Sequence, residues 1–227
     1  MPAAVKPVYP PPLRDGDRLT RDEFLQRWEA MPDLKHAELI ESIVHMPSPV
    51  STTHSDHHGP LTGWLFHYVT STPGCWVGVE GTWLMEKDVL QPDTTLRILP
   101  EYGGRSQQQD GLSAGAPELI VEVSLSSAAL DLGPKARLYE RAGVAEYITA
   151  LASPERIVWR ELVDGRYREI APDGDRILRS RLFPGLWLDS DALWRRDARR
   201  LVDCVDLGVA TPAHGEFVRL LESRRRK

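Results

Sequence analysis

Residues 118–124 read Glu118-Leu119-Ile120-Val121-Glu122-Val123-Ser124, the most strand-like run in the chain, and its parity organises everything around it. Successive side chains of a strand point to opposite faces. Leu119, Val121 and Val123 therefore share a core-facing side, and Glu118, Ile120, Glu122 and Ser124 share the other. Acids on an otherwise apolar face are costly unless they are paired, hydrated or bound to a cation. Downstream, the pattern predicts a helix over 134–142. Pro134 suits its first turn and Gly143 the left-handed position that ends it. Asp131, Lys135 and Tyr139 are spaced i, i+4, i+8, so they line one face provided the helix begins early enough. Upstream, Asp93 follows Pro92 at the head of a strand expected over 93–99, facing away from Thr94, Leu96 and Ile98. Folding the helix back over the central strand would bring Asp93, Glu122 and Lys135 together. Two carboxylates suit Mg²⁺, which keeps several waters for a phosphate substrate. A nearby ammonium can orient a water or oppose charge building on phosphorus. The same residues also describe a solvated face or surface ion pairs worth about 0–1 kcal/mol, and spacing alone does not choose.

Working outward, strands are expected at 146–151, 156–162 and 166–170, the last two joined by the hairpin signal Asp164-Gly165. Thr20-Arg21-Asp22-Glu23 is a capping box, followed at helical spacing by Phe24, Leu25, Trp28 and Met31 and stopped by Pro32. Residues 37–46 read as a strand or hairpin broken by Pro47-Ser48-Pro49. A second helix is expected over 60–69, strands at 76–79 and 82–85, and a polar loop over 101–115. Strands mixed with a few helices indicate an α/β or α+β fold with one central sheet flanked by helices. The domain reading is a flexible Pro-rich leader over 1–18, a main domain over 19–194, and a basic helical extension over 195–227. The extension carries Arg195, Arg196, Arg199 and Arg200 and ends in Arg224-Arg225-Arg226-Lys227, suited either to phosphates or to a solvated basic surface.

Composition narrows the classes. In 227 residues, 28 Lys+Arg stand against 33 Asp+Glu, a net charge of −5, which excludes a protein that coats nucleic acid by charge alone. No apolar run suits a membrane span, and the Pro-rich start lacks the apolar stretch of a signal peptide. Two cysteines, Cys75 and Cys204, exclude a disulfide scaffold and fit a reduced, cytoplasmic setting. They read as buried thiols, and no G-x-S-x-G turn or phosphate-binding glycine loop occurs. His54-Ser55-Asp56-His57-His58 is the densest metal-like cluster, but its spacing fails the known zinc pattern and no second His/Cys cluster completes it. It reads as a helix-entry polar cluster, with His54 the member that could touch phosphate or order a metal shell.

Several stretches together carry a resemblance: AELIES with IVHMPSP over 37–49, QPD at 91–93, PELIVEVS at 117–124, DLGPKARLYERAGVAEYI over 131–148, and FPGLWLDSDALW over 183–194. In this order they resemble the Uma-two family of predicted endonucleases, in the PD-(D/E)XK restriction-endonuclease-like superfamily, across roughly residues 20–194. The resemblance implies a restriction-endonuclease-like core and a Mg²⁺-dependent endonuclease cleaving DNA, with Mn²⁺ able to substitute. It implies metal ligation by Asp93 and Glu122, a catalytic Lys135, and Glu38 as an outer acid. Asp131, Tyr139 and His54 would support them, and Gly143 and Glu146-Tyr147 fall on further family positions. A homodimer follows only by analogy. Ser42 stands in place of a turn glycine, Leu125 in place of a serine and Ile148 in place of a tryptophan. A catalytically silent scaffold and a small-phosphoester hydrolase are the alternatives. On the nuclease reading, replacing Asp93, Glu122 or Lys135 by alanine abolishes cleavage with the fold intact.

Overall fold

The structure, a computed structural model, describes residues 10–47 and 50–225; the first nine residues of the leader, Ser48-Pro49 and the last two of the basic tail lie outside it. The central strand forms as read, as β9 (Leu119–Ser124), and every residue of it is buried. It lies in a six-stranded mixed sheet of order β12-β11-β10-β9-β6-β3. These strands are β3 (Cys75–Val79), β6 (Thr94–Ile98), β10 (Glu146–Ala152), β11 (Glu155–Val163) and β12 (Arg166–Glu169). β9 and β10 run parallel and the other neighbours antiparallel. The β11–β12 hairpin turns at Asp164 and Gly165, both with positive φ (51° and 75°), the two-residue geometry that their sequence favours.

Parity holds on both faces of the sheet. Leu119, Val121 and Val123 pack into a core with Leu61, Trp64, Leu65 and Tyr68 of α2 (Thr52–Thr70). The same core takes in Leu201 and Val205 of α6 (Ala198–Val209) and Leu221 of α7 (Pro212–Arg224). The residues after 194 are thus helical, as expected, but they complete the main core rather than extend from it. Ile120 on the other face joins a core with Leu138 and Tyr139 of α4 (Ala136–Ala142).

A second six-stranded sheet covers that face, where one sheet was expected. Its order is β2-β1-β5-β4-β8-β7, built from β1 (Glu38–Ile40), β2 (Ile43–His45), β4 (Trp83–Met85), β5 (Asp88–Leu90), β7 (Gln107–Gln109) and β8 (Leu112–Ala114). The supposed loop over 101–115 therefore holds a hairpin, hidden from the sequence because Gln107–Gln109 is exposed and carries no apolar alternation. Beneath this sheet, α1 (Arg21–Glu29) packs Phe24 against Leu39 and Val89, and its capping box is formed. The leader reading fails before residue 18: Leu13 is buried in the same core, and the Gly16 N–H and Asp17 carbonyl bond to Val44.

At the β1–β2 turn, Glu41 and Ser42 both have positive φ (50° and 66°). Side-chain-bearing residues resist this conformation at about 1–2 kcal/mol each, and glycine does not. Ser42→Gly should therefore raise stability by about 1 kcal/mol in urea unfolding; an unchanged or lower midpoint would show that the Ser42 side chain is worth more than the strain.

Candidate active site

One more step along the β6–β9 register, which pairs Thr94 with Val121, sets Asp93 beside Glu122. The Val123 backbone N–H donates to Asp93 Oδ2 at 2.7 Å, tying the two strand ends together. Glu122 points to the side of Ile120, under the second sheet, where β1 supplies Glu38. Lys135 enters from the helix that follows. The chain runs through α3 (Ala128–Leu130), a π-helical turn over Asp131–Lys135, and α4, so the helix starts six residues before Pro134. Pro134 brings no N–H to the ladder, and the helix widens there. Both Asp131 and Lys135 then face inward, 2% and 5% exposed.

Lys135 Nζ lies 3.0 Å from Glu122 Oε1, 3.0 Å from Glu38 Oε2 and 4.0 Å from Asp131 Oδ1. Tyr139 donates to the same Glu122 oxygen at 2.8 Å. The Gln91 N–H holds Glu38 Oε1 at 2.9 Å, and Ser127 donates to Asp131 Oδ2 at 2.5 Å. Asp131 is thus held mainly by Ser127, and its grip on Lys135 is the loosest of the three. Three buried carboxylates around a single ammonium leave an excess of negative charge. Burial pushes Glu122 up to about 8 despite Lys135, with Asp93, Asp131 and Glu38 adding to the rise. For Lys135, burial opposes the charge, but Glu122, Glu38 and Asp131 outweigh it and hold the ammonium well above its usual range. A lysine so held acts as a fixed positive charge and hydrogen-bond donor, not as a general base. Burial and Glu122 likewise raise the Tyr139 phenol, which stays a donor.

Lys135 makes no ion pair with Asp93; the partner of Asp93 is His54, with Nε2 3.1 Å from Oδ2. Burial acts to raise the Asp93 carboxyl, but the His54 contact and the Val123 N–H prevail and hold it below its ordinary value. The Asp93 hydrogen bond in turn raises His54 against the effect of its burial. His58 lies on the same side, with Nε2 3.0 Å from the Asp93 carbonyl and 2.8 Å from Thr94 Oγ1. A helix begun at Pro60 leaves His58 in a helix-entry polar cluster, with His54 alone near the site. The helix starts at Thr52, behind a Ser51 cap that accepts the His54 N–H, and carries Pro60 inside it. The available signal was Ser51 as a cap with two histidines four residues apart behind it. The rest of the histidine cluster disperses: His57 packs edge-on against Trp194 at 5.2 Å, and Asp56 pairs with Arg196 at 2.9 Å.

Other acids and thiols have local work. Glu118 accepts the Ile98 N–H at the far end of β9, and Glu146 accepts from Ser180, Trp159 and the Arg181 and Leu182 backbones. Cys75 and Cys204 are buried and unpaired, and burial raises the Cys75 thiol to about 12, which removes it as a nucleophile. Arg195, Arg199 and Arg200 pair with Asp191, Asp203 and Asp189. Among the described residues, no helix is long and apolar enough to cross a membrane.

Whether a divalent cation fits can be judged from the oxygens left over. Asp93 Oδ1 and Glu122 Oε2 take no hydrogen bond from the described residues, while their partner oxygens are committed. Thr149, paired with Glu122 in the β9–β10 register, has a buried hydroxyl with no partner among the described residues. Two adjacent carboxylates with free oxygens and uncompensated charge fit an ion such as Mg²⁺, which needs only one or two protein carboxylates and otherwise keeps water.

Comparison with known proteins agrees with this architecture. The crystal structure of "a putative nuclease belonging to DUF820 from Anabaena variabilis ATCC 29413" superposes with a TM-score of 0.60. The match covers 78% of this chain and 98% of that one at 15% sequence identity, a level that speaks to the fold alone. No curated protein matches. The sequence profile of Uma2, described as "Putative restriction endonuclease", matches residues 21–191, which hold β9, the helix of Lys135 and both strands that bring Glu38 and Asp93. The chain belongs to the Uma2 family.

Proposed function

We propose that the protein is a Mg²⁺-dependent endonuclease that hydrolyses DNA phosphodiester bonds at Asp93, Glu122 and Lys135. The observation that carries this reading is the cluster itself: Asp93 beside Glu122, with Lys135 locked at 3.0 Å from Glu122 and Glu38. Asp93 and Glu122 would hold the ion through their free oxygens. When bound, Mg²⁺ supplies Lewis acidity toward a phosphoryl oxygen and a more acidic water. Lys135, charged throughout, orients the attacking water and offsets negative charge developing on the phosphate. Tyr139 and Glu38 hold Glu122 and Lys135 in place. The family description, "Putative restriction endonuclease", supports DNA as the polymer.

Incubating purified protein with duplex and single-stranded DNA and millimolar Mg²⁺ should give cleavage that chelation stops. Cleavage should also be absent from Asp93→Asn. The reading fails if neither Mg²⁺ nor Mn²⁺ supports cleavage of any DNA, or if an Asp93→Asn/Glu122→Gln double variant cuts as well as the unsubstituted protein.

A further inference from the structure

Beside Glu122, Asp93 also meets a different kind of ligand group. His54 and His58 sit one turn apart on α2, their ring centroids 5.5 Å apart at 68°, and both rings abut Asp93. One ligand atom from each of His54, His58 and Asp93 comes within 4.8 Å of the others. No other trio of histidine, cysteine or acid gathers as closely among the described residues, the carboxylates around Lys135 included.

The surroundings are those of a ligand set held open. His54 and Asp93 side chains are 17% and 18% exposed, shielded yet reachable. The ring of His58 is oriented by the Asp93 carbonyl and the Thr94 hydroxyl, which itself meets Thr62 Oγ1 at 2.9 Å. Such supporting hydrogen bonds are what fix metal-binding imidazoles. His54 Nδ1 is buried with no hydrogen-bond partner among the described residues, although a buried unsatisfied polar atom costs about 1–3 kcal/mol. The ring therefore keeps a buried nitrogen that its contact with Asp93 does not use. Three protein ligands leave the remaining coordination positions for water or a substrate oxygen.

We propose that His54, His58 and Asp93 bind a borderline divalent cation of the Zn²⁺, Co²⁺ or Ni²⁺ type in preference to Mg²⁺. Imidazole nitrogen suits these ions, whereas Mg²⁺ selects oxygen and gives up its waters reluctantly. Asp93 is common to this nitrogen-bearing set and to the pair it makes with Glu122, so an ion held by the histidines would lie next to the proposed hydrolytic centre. The proposal concerns binding and does not need the nuclease reading, whose failure shows in the cleavage assay instead.

The test is Co²⁺ titration of metal-free protein, freed of any purification tag, followed by absorption spectroscopy and calorimetry. Co²⁺ should bind more tightly than Mg²⁺, with visible bands of nitrogen ligation. His54→Gln and His58→Gln, which keep hydrogen-bonding capacity and bulk, should each weaken binding by about tenfold or more. Thermal melting without metal checks that both variants fold. The proposal is overturned if Co²⁺ binds no better than Mg²⁺, if folded histidine variants bind Co²⁺ as well as the unsubstituted protein, or if Glu122→Gln abolishes Co²⁺ binding while the histidine variants do not.

Discussion

Replacing Lys135 with alanine should destabilise the metal-free protein by about 3–5 kcal/mol, in addition to ending cleavage. Lys135 is 5% exposed, and its ammonium is the one cation within 4.0 Å of Glu38, Glu122 and Asp131 among the described residues. Removing it leaves three buried carboxylates facing one another, and the loss of one partner from a buried ion cluster costs far more than the cluster contributes net. The sequence reading expected this substitution to spare the fold, an expectation suited to a surface lysine; burial reverses it. The pH dependence gives a second readout. Without Lys135 the Glu122 and Asp131 carboxyls rise further above their unfolded values, so folding takes up protons. The variant is then nearest to the unsubstituted protein in acid and falls away as pH rises through and above the unfolded value near 4.5. Urea unfolding in chelator across that range checks both parts. A loss under about 1 kcal/mol at neutral pH would mean that water, not Lys135, compensates these acids.

Glu122→Gln should lower cleavage by about 10²-fold or more while leaving the fold in place. Glutamine keeps the shape and still accepts from Lys135 and from Tyr139, whose hydroxyl lies 2.8 Å from Glu122 Oε1. What it removes is a charge. Glu122 is pushed up to about 8, against 4.5 for the free side chain, so between these values the folded state binds more protons than the unfolded state. Stability of the unsubstituted, metal-free protein therefore declines as pH rises from about 4.5 to about 8, and the full cost of the buried charge is present above that. The glutamine variant lacks this cost, so its stability relative to the unsubstituted protein should improve from pH 6 to pH 9 on the order of 1 kcal/mol or more. Mg²⁺ should stabilise the unsubstituted protein with release of a proton and should leave the variant unmoved. A variant that loses ground at alkaline pH would show that Glu122 is ionised and satisfied without metal.

Much of the central unit was legible in the sequence, because local rules govern it. The alternation in Glu118–Ser124 assigned Leu119, Val121 and Val123 to one core and Ile120 with Glu122 to the other side, as found. The capping box at Thr20, the Asp164-Gly165 turn and the i, i+4 relation of Asp131 to Lys135 are contacts between near neighbours in the chain. Segments that owe their structure to distant partners were not legible. β7 is an exposed run of glutamines whose strand state rests on pairing with β8, and Leu13 is held by a core assembled from α1 and the second sheet. The early start of α2 was masked by Pro60, since a proline inside a helix is tolerated only where packing of the helix outweighs the missing hydrogen bond.

By itself, the sequence determined which side chains share a face, because strand and helix periods are properties of the backbone alone. Only the tertiary structure decided how those faces pair. It set Lys135 between Glu122 and Glu38 rather than against Asp93, and gave Asp93 to His54 and His58 at the start of β6. Pairing of this kind depends on where two sheets and α2 close over one another. A charge buried at that junction takes whichever partner the packing brings within about 3–4 Å, a distance at which Coulomb attraction in a poorly hydrated interior outweighs any preference carried by sequence spacing.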